Sequence, residues 1–281
     1  MATDKLVEPE WLEAHLDDPN LRILEFNWNA TDSYDKWHIP GAQGWYWKDW
    51  CWDHTMRDFP TPEEFARRCA AAGISNDTLV VCYGDPPQFG TYGWWVMTYM
   101  GHADVRILNG GRVRWENEGR PQSTENPSFD AGDYTPHTGR NDAMRASRDD
   151  VLDRLDDVAA GGETVLLDHR SPEEFNGERV NMIGVPDVGA ERAGRIPGAK
   201  HLYFDDLLNE DMSFKSADEL RALFEARGAT ADKDVISYCR LSHRATLAYF
   251  AMTELLGYER VRSYDGSWTE WGSIVGVPIE R

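Results

Sequence analysis

Cys239 is followed within five residues by two arginines, Arg240 and Arg244. The segment Ser237-Tyr-Cys239-Arg240-Leu241-Ser242-His243-Arg244 places a thiol after an apolar run and directly before a helical pattern. A thiolate there faces loop N–H groups and the positive end of a helix dipole. Arg240 and Arg244 add positive charge, and His243 adds more when protonated. All of these favour the thiolate, the form in which cysteine acts as a nucleophile. A cysteine is more often an inert core residue, and Cys51, Cys69 and Cys82 are read that way. They lie in a Trp-rich loop, a helix and a strand, without an activating group nearby. No Cys or His pair has the spacing of a metal site, so no metal and no cofactor are expected.

The surrounding pattern alternates strand and helix. Thr164–Asp168, Asp234–Tyr238 and Val261–Tyr264 are short apolar runs, which suit buried parallel strands. Ser171-Pro-Glu-Glu174 carries a helix start, with a Ser cap, Pro first and an acid three residues on, and Ser216 to Gly228 reads as an amphipathic helix with a Ser cap and a C-terminal Gly. Arg244 to Leu256 reads as a helix ended by Gly257. Such alternation implies α/β domains whose parallel sheets are covered by helices, with ligands at the carboxyl ends of strands. Cys239 sits at such an end.

The same order of fragments occurs twice. His38-Ile-Pro-Gly-Ala42 answers Arg195-Ile-Pro-Gly-Ala199, and Val80-Val-Cys-Tyr83 answers Val235-Ile-Ser-Tyr238. Gly101 answers Gly257, and Asn109-Gly110-Gly111 with Trp115 answers Asp265-Gly266-Ser267 with Trp271. The offset stays between 155 and 157 residues, which indicates a duplicated domain. The expected division is residues 1–125, a linker over 126–145, and residues 146–281. The linker is placed in the polar, Gly- and Pro-containing stretch between the copies. Aligning Tyr83 with Tyr238 puts Gly84 where the second copy has Cys239, followed by Asp85-Pro-Pro87. Proline removes N–H donors, so the first copy is expected to be catalytically silent.

The chain has 281 residues and a formal net charge of −20. Acidity of that size argues against nucleic-acid binding, which needs a basic face. It leaves room for a small anionic substrate at a locally positive site. No apolar run is long enough to span a bilayer, and the opening stretch from Met1 to Leu16 has no secretory pattern. With only four cysteines, a reduced cytoplasmic protein is expected.

These residues together resemble the tandem-domain rhodaneses. Tyr34 to Ala42 is similar to that family's first-domain signature, Asp168 to Gly177 to its second-domain opening, and Val261 to Trp271 to its carboxy-terminal signature. The resemblance covers nearly the whole chain. It implies two tandem rhodanese-like domains, each a parallel sheet flanked by helices. It also implies a sulfurtransferase in which Cys239 takes a sulfane sulfur, by default from thiosulfate, and passes it as a persulfide to a thiol acceptor. Substrate contacts are expected from Arg244, Arg240, Leu241, Ser242 and His243. Arg244 would face the anionic donor and Arg240 would help. The loop resembles the C-R-I-G-E-R form of bacterial and archaeal thiosulfate sulfurtransferases more than the mercaptopyruvate form. Phosphatases of this fold have a longer loop, which argues against phosphatase activity.

Two features depart from that pattern. Ser242 stands where the relatives have Gly, which matters if its φ is positive, and His243 stands where they have Glu. Between Trp28 and Trp52 lie six tryptophans, more than the relatives carry. They read either as packing or as an aromatic pocket for an organic thiol or thione, with Trp45 as the substrate-binding candidate. A third reading is a sulfur-relay protein that delivers persulfide to a partner.

Overall fold

The computed structural model describes residues 3–29 and 33–281. It divides into two compact units, residues 1–141 with 210–213, and residues 142–209 with 214–281. The first holds strands β1 (Leu6–Val7), β2 (Leu21–Asn27), β3 (Ala42–Tyr46), β4 (Leu79–Asp85) and β5 (Val105–Leu108). The second holds β6 (Arg145–Ala146), β7 (Thr164–Asp168), β8 (Lys200–His201), β9 (Asp234–Tyr238) and β10 (Val261–Tyr264). The sheet orders are β1-β5-β4-β2-β3 and β6-β10-β9-β7-β8, and every pairing is parallel. The two orders are the same path drawn twice, as the sequence repeat requires.

The central strands β4 and β9 are apolar because helices cover both of their faces. Ile236 and Tyr238 of β9 are fully buried in a core with Leu166, Tyr264, Trp268 and Trp271. The helices start where the caps lie. Ser171 and Ser216 each accept from the N–H three residues on, and Glu174 and Glu219 bond back to complete a capping box. The helix after Cys239 begins at His243, one residue earlier than expected, and runs to Phe250. It continues as a wider π turn over Ala251–Leu255.

Part of the segment expected as a linker packs against the first unit. Gly132 N–H donates to Ala70 O at 2.8 Å, Asn76 bonds the backbone of Thr135 in both directions, and Tyr134 stacks on His102. Arg22 lies 4.0 Å over Phe129. Two aromatic anchors in a polar stretch thus fasten it to the first unit up to Asn141, whose N–H bonds Tyr99 O. The boundary lies between Asn141 and Asp142.

Most of the tryptophan-rich stretch packs within the first unit. Trp45, Trp47 and Trp52 are buried, and Trp45 stacks on Trp50 at 3.8 Å and meets Phe26 edge-on. Trp28 is 42% exposed. No helix among the described residues is long and apolar enough to cross a membrane.

Candidate active site

Cys239 follows β9, which lies in the middle of the second sheet, and its side chain is buried. The stretch after β10 holds its backbone. Cys239 N–H donates to Ser267 Oγ at 3.2 Å, and that hydroxyl donates to Tyr264 O at 2.8 Å. Cys239 O accepts from Trp268 N at 3.0 Å, and Arg240 O accepts from Thr269 N at 3.1 Å. The Ser267-Trp-Thr269 motif therefore clamps the start of the cysteine loop.

Beyond the clamp the loop offers open donors. The backbone N–H groups of Arg240, Leu241, Ser242, Arg244 and Ala245 have no acceptor among the described residues, and the first closed bond of the turn is Thr246 N–H to Ser242 O. A loop leading into a helix with unfilled N–H groups is an anion site. Ser242 makes the turn with φ 72°, the left-handed region, so the strain that a glycine would avoid is present. Its hydroxyl meets the Ser263 hydroxyl at 3.0 Å, an anchor glycine could not supply.

The two arginines differ in their company. Arg244 Nη1 and Nη2 donate to the two oxygens of Glu174 at 2.6 and 2.9 Å. Burial alone would lower the Arg244 pKa, but the hydrogen bonds and charge of Glu174 outweigh it and raise it. Arg240 has no carboxylate partner among the described residues; its Nη2 donates to Val188 O at 3.0 Å. Burial first, and then the charge of Arg244, pull the Arg240 pKa below its usual value. It remains a cation. The charges of both guanidiniums reach Cys239. Leu241 is half-buried beside them, and His243 is buried at the first position of the helix. Trp45 belongs to the first unit, where its indole Nε1 is buried without a hydrogen-bond partner.

A buried network escaped the sequence reading. Asp168, ending β7, binds Arg170 through Nε at 3.0 Å and Nη2 at 2.6 Å. Arg170 also reaches Gly194 O and lies 4.4 Å over Trp268. Tyr238, directly before Cys239, accepts the N–H of Ile196 at 3.2 Å. The first unit repeats the arrangement: Arg112 pairs with Glu25, Tyr83 donates to Glu25, and Ile39 N–H reaches the Tyr83 hydroxyl. The signal was present in the repeat, since Tyr83 and Tyr238 occupy matching positions with an acid of the neighbouring strand, Glu25 or Asp168, opposite each. The Ile-Pro-Gly turns are thus tied to β4 and β9 at Tyr83 and Tyr238, the residues directly before Gly84 and Cys239.

Gly84 itself has no space for a side chain. A Cβ there would lie 2.3 Å from Gly90 N and 2.9 Å from Phe89 C. The helix start has closed over the position that Cys239 occupies in the second unit.

Residues 8–118 and 147–274 each match the family described as Rhodanese-like domain. The chain is 48% identical over 278 residues to the "Sulfur carrier protein TtuD" of Thermus thermophilus, covering 98% of this chain and 96% of that one. It is 43% identical over 286 residues to a protein of Haloferax volcanii named "Putative thiosulfate sulfurtransferase", covering 100% of this chain and 97% of that one. Among solved structures, the anaerobic ergothioneine biosynthesis enzyme of Chlorobium limicola shares the fold. Its TM-score is 0.84 at 24% identity, over 98% of this chain and 70% of that one. With two matched domains on two identically ordered sheets, and full-length relatives of these kinds, the chain belongs to the rhodanese family as a rhodanese-type sulfurtransferase or sulfur carrier.

Proposed function

We propose that the chain transfers sulfane sulfur through a persulfide on Cys239, with thiosulfate as donor and a small thiol as acceptor. The observation that carries this reading is the open donor set of the loop: five backbone N–H groups without acceptors among the described residues, in the six residues that follow Cys239 directly after the central strand. In the first half-reaction the Cys239 thiolate attacks the outer sulfur of thiosulfate. A Cys239 Sγ–S bond forms, the S–S bond of the donor breaks, and sulfite leaves with the electron pair. In the second, an acceptor thiolate attacks the outer sulfur of the persulfide and the Cys239 thiolate departs. Each step conserves charge and needs no oxidant.

The loop N–H groups stabilise the anionic outer sulfur in the way that oxyanion donors act elsewhere. Arg240, the guanidinium without a carboxylate, meets the charge of the donor. Arg244, assigned to the donor from sequence, donates one bond from each terminal nitrogen to Glu174, and this buried pair makes it a strut that sets the loop. The first unit supplies no nucleophile at the corresponding position, which supports a single reacting centre per chain.

The name of the Thermus relative supports a second reading, a carrier that hands the same persulfide to a partner protein. The 1% exposure of Cys239 favours the small acceptor. Rapid mixing of the purified chain with thiosulfate in the absence of acceptor tests the scheme. One sulfite per chain should appear before turnover stops, and steady-state lines should be parallel when acceptor is varied. Sulfite release that requires acceptor from the first turnover would overturn it.

A further inference from the structure

Residues 179–189 form a loop tied together by its own polar groups. Arg179 donates to Asn181 O, Met182 O and Val185 O at 2.9–3.3 Å. Asp187 Oδ1 accepts from the N–H groups of Val180 and Asn181 at 2.9 and 3.1 Å, and Asn181 Nδ2 donates to Pro186 O. Just beyond it, the Arg192 guanidinium donates to the carbonyls of Trp271, Gly272, Ile274 and Val277. The loop is therefore stiff and fixed to the second unit downstream.

Its end meets Arg240. Val188 O accepts from Arg240 Nη2 at 3.0 Å. Gly189 follows with φ +116°, and a Cβ built there would lie 2.2 Å from Nη2, 2.8 Å from Cζ and 2.9 Å from Nε. All three distances are short, so the guanidinium lies against the bare Cα of Gly189. Any side chain would expel it. Arg240 Nε is buried in this slot with no partner.

We propose that Gly189 is a specificity-determining position. By lacking a side chain it lets Arg240 lie back against the loop, which sets a guanidinium with no carboxylate bonded to it among the described residues next to Cys239 in the chain and so selects anionic sulfur donors. The inference rests on the reading of Cys239 as the sulfur-accepting nucleophile. The loop has no part in the covalent step. It acts through Arg240, whose rotamer it holds.

The test compares Gly189→Ala with Gly184→Ala. Gly184 belongs to the same loop and has φ +87°, but nothing lies within 4 Å of its Cβ position. Gly184→Ala thus carries the backbone strain without touching Arg240. The probes are iodoacetate and iodoacetamide, which alkylate the same thiolate by displacing iodide and differ in charge. Gly189→Ala should lower the iodoacetate-to-iodoacetamide rate ratio at Cys239 and raise the KM for thiosulfate, each roughly tenfold, with kcat nearly unchanged. Gly184→Ala should keep both at the wild-type values. Equal effects in the two variants, or an unchanged ratio in a folded Gly189→Ala chain, would overturn the assignment. The alkylation ratio stands apart from sulfur transfer. If thiosulfate left no persulfide on the wild type, the proposed function would fail while the ratio still decided the role of Gly189.

Discussion

Arg244 and Glu174 face each other through two parallel N–H···O bonds of 2.6 and 2.9 Å, with side-chain exposures of 6% and 0%. The same carboxylate closes the capping box of the helix that starts at Ser171. One buried acid therefore sets both the arginine that ends the cysteine loop and the helix start following β7. Removing one partner of such a pair leaves an uncompensated charge in the interior, at a cost of about 3–5 kcal/mol. Arg244→Ala and Glu174→Ala should each destabilise the second unit by that order in urea unfolding. The double variant Arg244→Met with Glu174→Leu should recover a good part of it. If Arg244→Ala keeps wild-type stability and loses only thiosulfate affinity, Arg244 is the donor ligand and not the strut.

The turn residue gives a finer comparison. Ser242 combines a left-handed φ of 72° with a hydroxyl contact to Ser263. Ser242→Gly relieves strain of about 1 kcal/mol and loses a hydrogen bond of about 1 kcal/mol, so its stability should stay within about 1 kcal/mol of wild type. Ser242→Ala keeps the strain and loses the bond, and should be the less stable of the two. Thermal unfolding of both variants checks the order. Ser242→Ala at or above Ser242→Gly would show that the backbone, not the hydroxyl, is misassigned.

Much of this was legible because it is local. The apolar runs of β7, β9 and β10 coincide with the expected strands residue for residue, and Ser171 and Ser216 cap the helices their spacing announced. The repeat implied that the two units share one fold, since two copies in register must fold alike, while the strand order itself came from the structure. The pairing of Arg244 with Glu174 lay out of reach, because seventy residues separate them and nothing in the loop names its partner. The contact of Arg240 with Gly189 was hidden for the same reason. Within the expected linker 126–145, the polar composition concealed the contacts that Phe129 and Tyr134 make with the first unit.

Protonation of His169 sets part of the acid sensitivity. Burial lowers its pKa to about 4, against a usual value near 6.5, while Nδ1 holds Leu202 O at 2.8 Å. Below pH 6.5 the unfolded chain takes up a proton that the folded chain refuses. Stability should therefore fall as pH drops from 6.5 towards 4, by at most about 3 kcal/mol from this group, and this contribution should level off below pH 4. His102, also lowered by burial, acts in the same direction. Urea midpoints measured from pH 4 to 7 should show a shallower slope in His169→Gln. An unchanged slope would assign the acid sensitivity to other groups.

Placing a cysteine at Gly84 in the first unit should not create a second centre. Gly84→Cys forces a side chain against Gly90 N and Phe89 C, and overpacking of this kind costs about 1–3 kcal/mol or more. The variant should lose stability and gain no sulfite release when combined with Cys239→Ser. Thiosulfate-dependent activity in that double variant would contradict the closed loop.

Intact mass after treatment with thiosulfate, without acceptor, tests the central claim most directly. Burial pushes the Cys69 and Cys82 thiols above their usual pKa, which leaves them protonated and unreactive. The wild-type chain should gain the mass of one sulfur atom and lose it on addition of a thiol. A variant with Cys51, Cys69 and Cys82 replaced by Ser should gain the same mass, and Cys239→Ser should gain none. A thiosulfate-derived sulfur atom on the Cys239→Ser chain would contradict the assignment of Cys239 as the sulfur carrier.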